Sequence, residues 1–133
     1  VGFPNETEEQ FNNTLELYDY CQFDNAYTFI YSPREGTPAA QMEDNVSYQD
    51  KQRRLSILNE KVDHYAKIKN EAYLNKTVKV LVDGLSKKNK NVFSGYTQTN
   101  KLVNFIADEA KIGTIIDVLI TDAKTWSLNG KRI

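Results

Sequence analysis

Apolar positions change period along the chain, and each change marks a new element. Gly2-Phe3-Pro4-Asn5 has turn chemistry, and from Glu6 to Gln22 the apolar residues fall at helical spacing. Phe11, Leu15, Tyr18 and Gln22 form the stripe, with Leu17 and Cys21 widening it. Asn5 or Thr7 is placed to cap this helix, with Glu8 or Gln10 three residues on. The aromatic and β-branched run Ala26 to Tyr31 predicts a buried strand, and Pro33, Gly36 and Pro38 mark residues 32–45 as a loop. Ser47, with Asp50 in the capping-box position, then opens a long helix to about Tyr73. Its apolar face is Leu55, Leu58, Val62, Tyr65 and Ala72, and the early Lys51, Arg53 and Arg54 are read as a solvated face.

From Asn75 the period becomes two. Strands are predicted at Thr77–Asp83, Val92–Thr97, Leu102–Ile106, Thr114–Thr121 and roughly Thr125–Ile133, with polar Gly/Asn/Lys turns between them. Asp108 to Lys111 is expected to form a loop or a short helical turn. Five short strands in so few residues predict a small closed antiparallel barrel of the OB type. The fold class is therefore α+β. Residues 1–45 read as a truncated α/β segment, 46–74 as a linking helix and 75–133 as the barrel.

Charge sharpens this division. Residues 1–50 hold ten Asp/Glu against one Arg, and residues 51–133 hold sixteen Lys/Arg against eight Asp/Glu. A basic half points to a polyanionic partner, and two soluble modules with different surfaces is the competing reading. Cys21 is the only cysteine, so no internal disulfide or multi-cysteine metal site is available; helical spacing predicts a buried thiol. His64 stands without a second His or Cys nearby and is expected at the surface. No apolar run approaches the roughly 18 residues of a membrane span, and no signal pattern opens the chain. The sequons at Asn5, Asn12, Asn45 and Asn75 are therefore read as chance matches. The start at Val1-Gly2-Phe3-Pro4, without Met, suggests a piece of a larger cytoplasmic protein. An exposed strand in such a piece would favour dimerisation.

An autonomous enzyme is disfavoured. There is no Ser/His/Asp set and no phosphate-binding Gly loop, and Glu8/Glu9 and Asp108/Glu109 are sequence neighbours that point apart. The barrel instead carries what single-stranded nucleic acid needs. Lys87, Lys88 and Lys90 crowd one loop, where each phosphate neutralised releases counterions. Tyr96, Phe93 and Trp126 are candidate stacking planes. Phe93 and Phe105 also suit the core, Trp126 suits either a barrel end or the surface, and Tyr96 leans outward. Asn89, Asn91, Gln98, Asn100 and Asn104 supply amides able to read base edges or a 2′-hydroxyl. A protein interface would favour an apolar patch over a lysine-rich loop.

Four stretches resemble the tRNA methylthiotransferase family of the radical-SAM superfamily, most nearly the branch acting on isopentenyladenosine beside the anticodon. Val1 to Glu9 is similar to VGFPGETEE of that family, and Ala26 to Ala40 to its last barrel strand and loop. Thr99 to Phe105 and Ala123 to Gly130 resemble its terminal TRAM domain, an OB-like RNA-binding barrel. The resemblance implies an intact enzyme with two 4Fe-4S clusters and S-adenosylmethionine, its CxxxCxxC cysteines upstream, and a tRNA anticodon stem-loop as partner. It implies that Gly2, Pro4, Glu6 and Arg34 lie near S-adenosylmethionine, and adds Lys101 and Lys124 to an RNA surface that already holds Asn100 and Trp126. The piece itself would bind RNA without catalysing the reaction. A positioning module, or an RNA-binding barrel without base specificity, is the alternative. Asn5 stands where the family has Gly, a position Asn tolerates because it accepts positive φ. Tyr96 and Gln98 stand where it often has Arg, leaving stacking by Tyr96 as the substitute for phosphate contacts.

Overall fold

The computed structural model of the chain describes residues 1–86, 89 and 91–133. Two compact units, Val1–Tyr65 and Ala66–Ile133, divide inside helix α2 (Tyr48–Glu71).

In the first unit α1 (Glu8–Cys21) starts at Thr7, whose Oγ1 accepts from the Gln10 N–H at 3.2 Å. The Gln10 side chain returns the bond from the Thr7 N–H at 2.9 Å, which completes the capping box. Phe11 and Tyr18 are buried against Leu58 and Val62 of α2. The stripe is narrower than its periodicity implied. Leu17 and Cys21 are exposed, which corrects the expectation of a buried thiol. At 3.6 residues per turn they sit about 120° and about 80° round the helix from Phe11, outside the packed arc. Asn5 does adopt a left-handed φ of 68°, and Gly2 one of 72°.

Residues 26–31 are extended but form no regular strand. The Tyr31 N–H donates to the Val1 carbonyl and the Val1 ammonium to the Phe29 carbonyl, each at 2.8 Å. Burial on both faces, the expectation, does not occur: Ala26 packs on the core, whereas Tyr27 is 87% exposed and Phe29 is exposed too. Successive side chains of an extended chain point opposite ways, and a second face is buried only when another layer covers it. Residues 32–45 are a loop interrupted by one 3-10 turn, Pro38–Gln41.

The start of α2 departs furthest from expectation. Ser47 caps it as predicted, accepting from the Asp50 N–H at 3.1 Å. Lys51 and Arg54, read as solvated, are buried, while Arg53 remains exposed. Arg54 donates to the Glu6 carboxylate at 2.8 Å, the Glu6 carbonyl at 2.9 Å and the Glu8 carboxylate at 3.2 Å. Its guanidinium also lies 5.7 Å from the centre of the Phe11 ring. Lys51 pairs with Asp44, Arg53 grips Glu8 with both terminal nitrogens, and Lys61 holds Asp19 at 2.7 Å. Acids from the first fifty residues thus supply the counter-charges that let two cations leave water.

The second unit is a closed barrel of β1 (Thr77–Leu85), β2 (Val92–Thr97), β3 (Leu102–Ile106), β4 (Ile115–Ala123) and β5 (Leu128–Arg132). Around the ring the order is β1-β2-β3-β5-β4. Four seams are antiparallel and β3–β5 is parallel. The expectation of a wholly antiparallel ring is corrected by counting, since a ring of five strands cannot alternate direction all the way round. Val80, Val82, Phe93, Val103, Phe105, Val118, Ile120 and Leu128 fill the interior. The rings of Phe93 and Phe105 stack there with centroids 5.9 Å apart, so both are core rather than RNA platforms.

Gly95 and Gly130 mark the tightest strand approaches. A Cβ on Gly95 would meet the Leu81 carbonyl oxygen and lie 2.7 Å from Val80 Cγ1. One on Gly130 would meet the Leu119 carbonyl oxygen and lie 2.7 Å from Val118 Cγ1. Gly95→Ala is expected to cost about 1–3 kcal/mol by overpacking. That lowers the barrel's melting temperature by about 4 °C or more. Gly84→Ala, where nothing lies within 4 Å, is the matched control and should melt close to the parent.

Acid should loosen the first unit before the barrel. Hydrogen bonds from Arg53 and then Arg54 hold the Glu8 carboxyl below its ordinary range. Lys61 and Tyr65 do so for Asp19, Lys51 for Asp44, and Ser47 and then Arg53 for Asp50. A carboxylate depressed in the folded state stabilises it above the unfolded pKa, and that stability is lost as pH falls through the folded value. The carboxylates of these pairs are exposed even where the cation is buried, so solvent screening keeps each contribution modest. Amide protection factors, taken relative to intrinsic exchange at each pH from 6 to below about 4, should fall in α1 and the start of α2 ahead of β1–β4. Equal loss of protection in both units would contradict this.

Candidate nucleic-acid interface

Alternation along β1 turns Val80 and Val82 inward and Lys79 and Leu81 outward. Register then sets Leu81 beside Tyr96 of β2 on one side and beside Ile115 of β4 on the other. Tyr96 in turn pairs with Leu102 of β3. The result is an outward aromatic and aliphatic row across four strands. Tyr96 is 41% exposed, with Leu81 and Ile115 also accessible. A groove of about 550 Å³ runs along this row, edged by Lys79 and by Gln98 and Asn100 from the β2–β3 turn. Lys79 pairs with Asp117 at 3.2 Å between two exposed side chains. Such a pair is weak enough for Lys79 to exchange its partner for a phosphate.

The β2–β3 turn is closed by its own backbone. Thr97 N–H donates to the Lys101 carbonyl at 3.0 Å, Asn100 N–H to the Thr97 carbonyl at 2.9 Å, and Lys101 N–H to Thr97 Oγ1 at 3.0 Å. Asn100 reaches the left-handed φ of 61° that this closure requires. The side chains of Gln98 and Asn100 are exposed and make no hydrogen bond among the described residues, so both amides are available. Lys101 is different. It was placed on the RNA surface, yet it is buried. It stands one residue before β3, at the position that alternates with the inward Val103 and Phe105.

The β4–β5 turn carries the second set. The Lys124 N–H donates to the Ser127 carbonyl at 2.8 Å, which delays β5 to Leu128. Asn70, near the end of α2 and buried, donates through Nδ2 to the Lys124 and Thr125 carbonyls at 2.8 and 2.9 Å. The clamped turn presents Trp126 52% exposed, so of its two readings the surface one is observed. Below the turn, Asp122 Oδ2 accepts from Asn129 Nδ2 and pairs with Lys124 Nζ, each at 3.0 Å. The Asn129 amide, then Lys124, holds the Asp122 carboxyl below its ordinary range.

Lys87, Lys88 and Lys90 lie outside the described residues. Asn104 faces outward between Ser94 and Asn129 in the strand register. Of the residues placed near S-adenosylmethionine, Gly2 and Glu6 are joined: the Gly2 N–H donates to Glu6 Oε1 at 3.0 Å. The same oxygen accepts from Arg54, and Pro4 is buried. Arg34 is exposed, and among the described residues its carbonyl is engaged by Thr37 and its side chain by none. Lys79, Leu81 and Ile115 were missed by sequence reasoning. Their signal was available: outward positions of alternating strands that carry Leu and Ile where polar residues are usual.

A family profile described as TRAM domain matches residues 71–133. Over all 133 residues the chain is 58% identical to the tRNA-2-methylthio-N(6)-dimethylallyladenosine synthase of Bacillus cytotoxicus. It is 57% identical to that of Bacillus mycoides and 58% to that of Bacillus thuringiensis. In each case the match takes in 100% of the chain and 26% of the relative, so the chain spans about a quarter of the length of these curated relatives.

The Asn70 clamp gives the interface a direct check. Asn70→Ala removes the donor from two loop carbonyls and is expected to cost about 1–3 kcal/mol. Trp126 is the only tryptophan, so its emission should shift to the red and its anisotropy fall as the turn loosens. An unchanged spectrum would mean that the turn holds its shape without Asn70.

Proposed function

We propose, for a chain whose residues 71–133 match the TRAM domain, that its barrel grips the anticodon stem-loop of tRNA on behalf of a methylthiotransferase of which the chain is one part. The observation that carries the reading is the groove along Tyr96, Leu81 and Ile115, overhung by the unbonded amides of Gln98 and Asn100. It lies in a unit with twelve Lys/Arg against six Asp/Glu, a balance suited to a polyanion. Stacking planes, base-edge amides and surrounding positive charge are the three things a single-stranded RNA loop requires. Lys87, Lys88 and Lys90 join this surface on their sequence, as the phosphate-tracking group. The similarity to synthases named for a tRNA nucleoside supports the choice of tRNA, and with it a cytoplasmic location.

In the whole enzyme two 4Fe-4S clusters and S-adenosylmethionine would supply the radical chemistry that puts a methylthio group on C2 of isopentenyladenosine. The residues present here do not fit a cluster, which takes several cysteine thiolates where this chain has Cys21 alone. No step of that chemistry therefore falls to these residues. Gly2, Pro4 and Glu6 would shape the turn near S-adenosylmethionine, with the Glu6 carboxylate already committed to Gly2 and Arg54. Arg34 is the member of the set with a side chain free, among the described residues, to meet an anionic group.

Fluorescence anisotropy with an anticodon stem-loop at several salt concentrations tests the RNA reading. Replacing Lys87, Lys88 and Lys90 together with Ala should weaken all sequences alike and flatten the salt slope by about 0.7 per lost contact. Tyr96→Ala should cost about 1–3 kcal/mol and leave the slope nearly unchanged, because stacking releases no counterions. Parent-like binding by both variants would remove the lysine loop and the Tyr96 groove from the RNA surface. A parent chain that does not bind the stem-loop would make the barrel a positioning module and end the RNA reading.

A further inference from the structure

The groove along Tyr96, Leu81 and Ile115 carries one cation, Lys79, among the described residues that line it. The β1–β4 register sets Lys79 directly opposite Asp117, and the next outward pair on the same seam is Leu81 with Ile115. Two residues along a strand is about 7 Å, so the ion pair stands at the edge of the apolar row. Lys79 Nζ donates to Asp117 Oδ1 at 3.2 Å, with 75% of the Lys79 side chain and 49% of the Asp117 side chain exposed. The carboxylate is a fixed feature of this wall. The Asp117 carbonyl accepts from the Ile133 N–H at 3.2 Å, which ties this point of β4 to the residue after β5.

From this arrangement we infer that Asp117 is a built-in competitor of RNA: its carboxylate occupies Lys79 and has to be displaced before a phosphate can take its place. The inference rests on the RNA reading above and adds how that same site is restrained. A carboxylate and a phosphate oxygen offer an ammonium the same thing, an anionic acceptor at hydrogen-bond distance. The β1–β4 seam sets the carboxylate there in advance, whereas a phosphate must be brought by the rest of its ligand. Once displaced, Asp117 faces the incoming backbone as an unpaired negative charge, which disfavours a polyanion that offers charge alone. A ligand that also lays a base on Tyr96 offsets that cost through a contact the competitor does not touch. Exposed pairs of this kind are weak, so the groove is restrained and not shut.

The test is a double-mutant cycle on the full chain, with binding of an anticodon stem-loop read by fluorescence anisotropy at several salt concentrations. Asp117→Asn keeps the shape of an exposed side chain and removes its charge. It should tighten binding about two- to fivefold, the equivalent of an exposed pair that no longer has to be broken. That gain should narrow as salt rises, because such a pair is screened. In a Lys79→Gln chain the same substitution should do no more than Asp108→Asn, which removes one exposed acid outside the groove. Equal gains with and without Lys79 would reduce Asp117 to a share of the net charge and overturn the inference. Unchanged or weaker binding by Asp117→Asn overturns it as well, the weaker case meaning that Asp117 aims Lys79 at the phosphate. Each of these results leaves the RNA reading standing, since the parent still binds. Absence of binding by the parent and by every variant removes both proposals together.

Discussion

The parallel seam between β3 and β5 decides where the surface of the barrel unit can act. Because Val103 pairs with Leu128 and Asn104 with Asn129, the two strands begin side by side at one end of the ring. The turns that precede them, 97–101 and 124–127, must therefore open at that end as well. Both are tied to the same stretch of chain: Asn70 bonds the Lys124 and Thr125 carbonyls, and the Tyr73 hydroxyl bonds Thr99 at 2.9 Å. Trp126, Asn100 and Gln98 owe their placement to this seam and its two anchors. Were the ring even-numbered and fully alternating, neighbouring strands would start at opposite ends and the turns would separate.

Tight closure supports the same arrangement. The registers of β1 with β2 and of β4 with β5 each shift once, at Val82/Gly84 and at Ile120/Asp122. Such bulges bend long strands so that five suffice to close a ring. Gly95 and Gly130 permit the close strand approach that follows. The second shift has a further consequence, since it sets Asp122 opposite Asn129 and brings their side chains into one hydrogen bond on the outer face.

The first unit solves a different problem. Its apolar set is small, Phe11, Tyr18, Leu58 and Val62, and it is extended by two cations drawn into the packed face of α2. Burying a cation is costly unless counter-charges and hydrogen bonds meet it. Glu6, Glu8 and Asp44 do so for Arg54 and Lys51. The charge imbalance between the halves of the sequence is thus partly consumed as structure. What remains for an outside polyanion is the excess on the barrel unit, not the basic start of α2.

Much of the architecture was legible. The shift from helical to alternating period located α1, α2 and five strands, because each period is a direct consequence of backbone geometry. Thr7 and Ser47 as caps follow from local hydrogen bonding, and the outward lean of Tyr96 from strand alternation. Partnership between distant residues was not legible. Lys51 and Arg54 read as solvated because a helical period says which side a residue takes and not what it meets there. Cys21 and Leu17 read as core, and Lys101 as surface, for the same reason. The sequence by itself determined the elements, their caps and the alternation that splits inside from outside. Only the tertiary structure decided which charges are buried and which strands adjoin. It alone decided that Tyr96, Leu81 and Ile115 share one groove and that Asp122 meets Asn129, since register and closure depend on contacts between segments far apart in the chain.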